Sequence, residues 1–233
     1  MATQILNKNS EQAPTESVIL WGVSVSPYVR KVMAALAEKN ITYEQREILP
    51  KAFLLATGKS VPEAFDKASH LGKIPLLQVG DFSISDSAVI AAYLDRKFST
   101  GNKLYPDNPE DYAKSLWFEH YSDTVLTDVG YKKIFVECVA KPKVLNLETN
   151  TKLVEEAKRN ELPPLLSFLN KAVAKSEWIA GANFSMADIA IATQLLALKM
   201  AGFELSDKNC FHLGSYLTKV TSRPSFKKIM TPS

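Results

Sequence analysis

The sequence predicts an α/β domain built on a small mixed sheet, followed by an all-α domain. Three observations carry that prediction. Up to about residue 100 short apolar runs alternate with helical periodicity, beyond it only helical periodicity remains, and between the two "STGNKLYPDNP" (Ser99 to Pro109) is a cluster of turn formers. The expected division is an N-terminal extension at 1–16, taken as flexible, a sheet domain at 17–98, a linker at 99–109 and a helical domain at 110–233.

Each element has its own signal. "SVILWGV" (Ser17 to Val23) reads as a buried strand, and Val29, Val32, Met33 and Leu36 then fall at i, i+3, i+4, i+7 on one helix face. Pro27 suits the first turn of that helix, where its missing N–H costs nothing, and this puts Ser26 at the N-cap. "ITYEQREIL" (Ile41 to Leu49) has the β-branched and aromatic content of a second strand. "IPLLQVGDFSI" (Ile74 to Ile84) reads as two strands around a Gly80-Asp81 turn, and "SDSAVIAAYLDRKF" (Ser85 to Phe98) is helical again. Beyond the linker, helical stretches run roughly over Glu110 to Lys133, Leu147 to Ala174, Met186 to Ala201 and Leu213 to Val220. Ser185 and Asp188 fit a capping box at the head of the third of these, a folding signal rather than a chemical one.

Composition narrows the function classes. With 233 residues, 46% hydrophobic and 23% charged, the chain can bury a full core. Its 28 basic and 25 acidic side chains leave a net charge of +3 with no basic stripe, which disfavours nucleic acid as a partner. Cys138 and Cys210 are too far apart in sequence for a C-x-x-C site, His70, His120 and His212 are equally scattered, and no metal site is expected. Neither a signal-peptide core nor a membrane span is expected, so the expected location is the cytoplasm.

Four segments together resemble the cytosolic glutathione transferase family over about residues 17 to 230. "SPYVRKVMAALAEKNITYE" is similar to the family's first helix and second strand, and "GKIPLL" (Gly72 to Leu77) to the loop with a cis proline before the third strand. "SDSAVIAAYLDRKF" is similar to the segment usually written Glu-Ser before an apolar helix, and "WIAGANFSMADIAIAT" (Trp178 to Thr193) to the C-terminal capping motif. The resemblance implies a thioredoxin-like first domain, a homodimer, and glutathione as substrate with no metal.

It also implies site residues. In serine-type members the catalytic hydroxyl stands four residues ahead of the Arg that opens the R-x-V-like run, which gives Ser26, with Ser24 as the alternative and a simple helix cap as the non-catalytic reading. Ile74, ahead of Pro75, would pair its backbone with the cysteinyl unit of glutathione like an added strand. Ser87 would donate to the γ-glutamyl carboxylate and Asp86 would accept from its ammonium, although both residues also suit a helix cap. Lys59 and Lys73 are assigned to glutathione, with Lys51, Lys59 and Lys67 as candidates for its glycyl carboxylate. Tyr28, Tyr112, Trp117, Tyr121 and Val125 are candidates to line the pocket of a small hydrophobic electrophile, or else belong to the core.

The function implied is conjugation of the glutathione thiolate to such electrophiles. Two alternatives stay open: glutathione-dependent isomerisation of an unsaturated acid, and ligand binding without turnover.

Overall fold

The structure is a computed structural model that describes residues 16–205 and 210–230 of the chain. The expected N-terminal extension therefore lies outside the described residues, Glu16 excepted.

Four strands form one sheet in the order β2-β1-β3-β4: β1 (Val18–Trp21), β2 (Glu44–Arg46), β3 (Leu76–Val79) and β4 (Phe82–Ser85). β1 runs parallel to β2 and antiparallel to β3, with Leu20 opposite Leu77, and β4 folds back on β3 through Gly80 at φ 57°. Between β1 and β2 lies helix α1 (Pro27–Glu38), which the parallel pairing requires as a crossover. It buries Val29, Val32, Ala35 and Leu36 completely. Helix α4 (Ser87–Lys97) follows β4 and buries Ile90, Ala91 and Leu94 beside α1.

The stretch between β2 and β3, where no element is expected from periodicity, folds into α2 (Lys51–Ala56) and α3 (Glu63–Ala68). Leu54 and Phe65 from these short helices join Trp21, Ile48 and Leu76 in a second, smaller core.

Residues 99–108 cross to the helical part, where α5 (Pro109–Tyr121) continues without a break into a more widely wound, π-type helix, Ser122–Leu145. This helix outruns the expected stop near Lys133. After it come α6 (Thr151–Glu156), a π-type turn (Ala157–Glu161), α7 (Leu162–Val173), α8 (Met186–Met200), α9 (Phe211–Thr221) and α10 (Pro224–Met230). α8 is buried on all sides from Met186 to Leu198, between α1, α5 and the π-type helix. Its start is held by the reciprocal bonds of Ser185 and Asp188. Asp188 Oδ2 accepts from the Ser185 N–H at 2.8 Å, and Oδ1 accepts from the Ile179 N–H at 2.9 Å and the Tyr216 hydroxyl at 2.7 Å. No helix among the described residues is long and apolar enough to cross a membrane.

Candidate functional site

A cavity of about 450 Å³ opens where the C-terminal edge of the sheet meets the π-type helix. From the sheet side it is lined by Ser26, Tyr28, Pro50, Leu71, Lys73, Ile74, Pro75, Ser85, Asp86 and Ser87, and from the helical side by Asp123, Thr127, Tyr131 and Lys132.

The two serines of the first loop are separated by this geometry. Ser26 is the N-cap of α1 with extended backbone (φ −70°, ψ 128°), yet its side chain makes no capping hydrogen bond and lines the cavity. Its hydroxyl thus stands beside the unpaired N–H groups of a helix start without being used up by them. Ser24 instead donates to Glu47 Oε1 at 3.2 Å on the surface and is no part of the lining.

Tyr28 also faces the cavity, with its hydroxyl 2.6 Å from Thr127 Oγ1. Thr127 spends its own proton on the Ser122 carbonyl at 3.0 Å, so Tyr28 is the donor in that pair. Burial pushes the Tyr28 hydroxyl well above the ordinary tyrosine range, so it stays neutral. The ring rests edge-on against Tyr131, centroids 5.2 Å apart.

On the opposite wall the Ile74–Pro75 bond is cis, and Asp86 starts α4 with φ 79°. Asp86 Oδ1 accepts from the N–H groups of Ala88 and Val89 at 3.0 and 3.2 Å, so one of its oxygens caps the helix. Ser87, the first residue of α4, is buried beside it.

Beneath this corner lies a buried charge cluster. Lys31 Nζ is 2.8 Å from Glu119 Oε1 and 2.5 Å from Asp123 Oδ2, with the lysine 1% exposed. Burial alone would lower the Lys31 pKa, but the two carboxylates outweigh it and hold the ammonium charged. Asp123 Oδ1 is buried with no hydrogen-bond partner. Burial raises the Asp123 pKa, the Lys31 ammonium opposes the rise, and the nearby Asp86 charge adds to it. One lysine thus faces two acids, both with pKa values raised by burial, where the cluster meets the cavity.

A family model described as "Glutathione S-transferase, N-terminal domain" matches residues 20–103, and one described as "Glutathione S-transferase, C-terminal domain" matches residues 138–231. The chain belongs to the glutathione transferase family. It is 28% identical to glutathione S-transferase F6 of Arabidopsis thaliana over 91% of this chain and 98% of the relative. It is 25% identical to glutathione S-transferase GstB of Escherichia coli K12, over 91% and 97%. In three dimensions it is similar to the theta class glutathione S-transferase of Xanthomonas axonopodis pv. citri solved with glutathione bound (TM-score 0.78, 22% identity, 94% of this chain and 99% of that one).

Not every residue singled out in the sequence of this glutathione transferase reaches the cavity. Lys59 is exposed beyond the end of α2, Lys51 pairs with Asp66, and Lys67 pairs with Glu63 on the outer face of α3, which leaves Lys73 as the lysine from that region in the lining. Tyr112, Trp117, Tyr121 and Val125 do not line it either. Trp117 is 51% exposed and stacks on Tyr121, centroids 5.5 Å apart, with Phe168 edge-on to it at 5.7 Å. Their distance from this lining has a simple geometric cause. The lining residues Asp123, Thr127 and Tyr131 recur every fourth position, as do Trp117, Tyr121 and Val125, but a shift of two residues is about half a turn of helix. The inward strip carries a carboxylate and two hydroxyls, so an apolar pattern could not reveal it. The i, i+4, i+8 spacing of Asp123, Thr127 and Tyr131 is the signal that could have.

Proposed function

We propose that this glutathione transferase conjugates the thiolate of glutathione to small hydrophobic electrophiles. The observation that carries the reading is the uncommitted hydroxyl of Ser26 in the same cavity as Ile74, Asp86 and Ser87. In this reading the γ-glutamyl group lies against Ser87, Asp86 and Asp123, the cysteinyl backbone pairs with Ile74, and the glycyl end extends toward Lys73. The sheet part, 17–98, binds glutathione; the helical part, 110–233, joined through 99–109, supplies Thr127 and Tyr131 to the second substrate.

The sulfur then comes within reach of the Ser26 hydroxyl at the α1 N-terminus. A hydrogen bond to a charged group contributes about 1.5–3 kcal/mol and a helix N-terminus about 0.3–1 kcal/mol more. At about 1.36 kcal/mol per unit, that lowers a thiol pKa of about 8.5 by roughly one to three units. The nucleophile belongs to the substrate and the protein stabilises its charge.

The chain is proposed to act as a homodimer in the cytoplasm. Support for the dimer comes from Phe82, Val89, Leu116, Trp117 and Val125, all large apolar side chains between 38% and 51% exposed. Support for the compartment comes from the spacing of the two cysteines, Cys138 and Cys210, which builds no disulfide framework of the secreted kind.

The test is calorimetric titration with glutathione followed by conjugation of 1-chloro-2,4-dinitrobenzene. Binding with turnover is expected. Binding without turnover of this or any other electrophile selects the ligand-binding alternative, and no binding removes the reading.

A further inference from the structure

One turn beyond Ser26, on the same side of α1, stands the guanidinium-bearing Arg30. Arg30 is partly buried, its Nε is shut off from solvent with no hydrogen-bond partner, and no carboxylate among the described residues forms an ion pair with it. Its guanidinium donates to a thioether: Nη1 lies 2.8 Å from Met200 Sδ at the C-terminal end of α8. Sulfur of this kind is a weak acceptor and leaves the guanidinium charge uncompensated. Burial accordingly pulls the Arg30 pKa down, with no opposing partner to hold it up. A planar fork of donors without an anion is expensive to keep in a partly dry place.

The surroundings define what would satisfy it. Val25, Tyr131, Cys138 and Ala201 pack on the buried trio Phe135, Val139 and Ala197, forming an apolar wall between the first loop, the π-type helix and the end of α8. Tyr131 belongs both to this wall and to the lining of the glutathione cavity, and stacks on Phe135 with centroids 5.5 Å apart. Met200, which touches Arg30, adjoins Ala201 of the same wall. Of the charged side chains in the cavity lining, Asp86, Asp123 and Lys73 stand toward the glutathione end and Lys132 on the helical side pairs with Asp128 at 2.6 Å; Arg30 stands outside that lining, next to the wall that Tyr131 shares with it, and has no such carboxylate. Four residues of helix separate Ser26 from Arg30, about 6 Å along the axis.

We infer that the second substrate is an electrophile with an apolar body and a carboxylate, the carboxylate received by Arg30 while the electrophilic carbon meets the sulfur near Ser26. This rests on the conjugation reading above and names its substrate class. For an aryl chloride the step is balanced: the thiolate forms a C–S bond to the ring carbon, the C–Cl bond breaks, and chloride leaves with the electron pair.

The probes are 4-chloro-3-nitrobenzoate and its methyl ester, which differ in the anionic group. For each, kcat/KM is divided by the rate with glutathione in buffer, and the acid-to-ester ratio of these values is compared between wild type, Arg30→Met and Arg30→Lys. The ratio is expected to fall about tenfold or more in Arg30→Met, the loss of a charge-assisted pair, and to recover in part in Arg30→Lys. An unchanged ratio overturns the inference, whether both rates stay constant or fall together, since an Arg30 that stabilised only the thiolate or the fold would not distinguish the two. Turnover of the ester by wild type keeps the conjugation reading alive independently of that result. Should wild type turn over neither, the reading fails and calorimetry decides the inference. S-(4-carboxy-2-nitrophenyl)glutathione should lose at least about tenfold affinity in Arg30→Met relative to its methyl ester. Equal losses overturn it. Arg30→Lys, which keeps a cation in place, serves where the methionine variant does not fold.

Discussion

Arg223, at the head of the last helix, grips the carboxylate of Glu38, at the end of the first: Nε to Oε1 and Nη2 to Oε2, both at 2.8 Å. Asn102 and Ser225 complete the shell, and Glu38 is 5% exposed. Burial alone would raise the Glu38 pKa, but these donors outweigh it and hold it below the usual glutamate value. Removing Arg223 strands a buried charge, so Arg223→Ala should destabilise the fold by about 3–5 kcal/mol in denaturant unfolding. A loss below about 1 kcal/mol would show the pair to be idle.

The same pair sets a pH dependence. A carboxylate with a depressed folded-state pKa contributes stability that is fully present above its unfolded pKa, about 4.3, and is lost as pH falls through the folded value. The stability gap between wild type and Glu38→Gln should therefore shrink as pH drops below about 4.3. Parallel acid-unfolding curves for the two would contradict this.

Ser26 and Ser24 differ in what they touch, and substitutions should separate them. Ser26→Ala is expected to raise the pKa of bound glutathione by about one unit or more, from loss of a hydrogen bond to charge. Because the Ser26 side chain makes no capping bond, stability should fall by less than the ~1 kcal/mol typical of a lost cap. Ser24→Ala should leave the thiol titration alone. Thiolate absorbance against pH reads both variants, and a shift in Ser24→Ala alone would reverse the assignment.

Asp123 offers a buried, unpartnered oxygen to the cavity, and the ammonium of the γ-glutamyl group is the cation the proposed pose brings there. Asp123→Asn should weaken glutathione about tenfold, and glutaryl-Cys-Gly, which lacks that ammonium, should bind wild type about tenfold less tightly as well. If the two losses share one contact, the variant and the analogue together lose no more than either alone. Additive losses in calorimetry would place the ammonium elsewhere.

Sedimentation at micromolar concentration should give the mass of two chains. Leu116→Glu and Val89→Glu, which put charge on exposed apolar positions, should shift it toward one. A single-chain mass for wild type would defeat the dimer.

What the sequence disclosed follows from the length of its signals. The α1 stripe, Pro27, the Gly80 turn and the Ser185–Asp188 box are patterns of one to three turns with strong local preferences, and these elements are found at those positions. α2 and α3 are six residues each, too short for a period to declare itself, and β2 shrinks to Glu44–Arg46. In the lining of the candidate cavity, residues that belong to a local backbone feature are the ones legible in the sequence: Ser26 at a helix start, Ile74 before Pro75, and Asp86 with Ser87 at another helix start. Side chains placed by helix rotation are not. Tyr121 and Val125 attract notice because they are apolar and aromatic, whereas the strip that faces the cavity is Asp123, Thr127 and Tyr131. Which face turns inward is decided by packing against α1 and α8, information that a linear pattern does not contain.

The segment between the two halves is short of slack. Thr100 Oγ1 donates to the Lys39 carbonyl at 2.8 Å, the Asn102 N–H to the Glu38 carbonyl at 2.8 Å, and the Leu104 N–H to Asp95 Oδ1 at 2.8 Å. Gly101 lies so close to the end of α1 that an added Cβ would fall 2.2 Å from the Glu38 carbonyl oxygen. A connection riveted in this way cannot serve as a hinge. For the proposed conjugation the expected consequence is a cleft of constant width, in which substrate and product pass by movement of lining side chains such as Leu71 and Lys132 rather than by a clamshell motion of the halves.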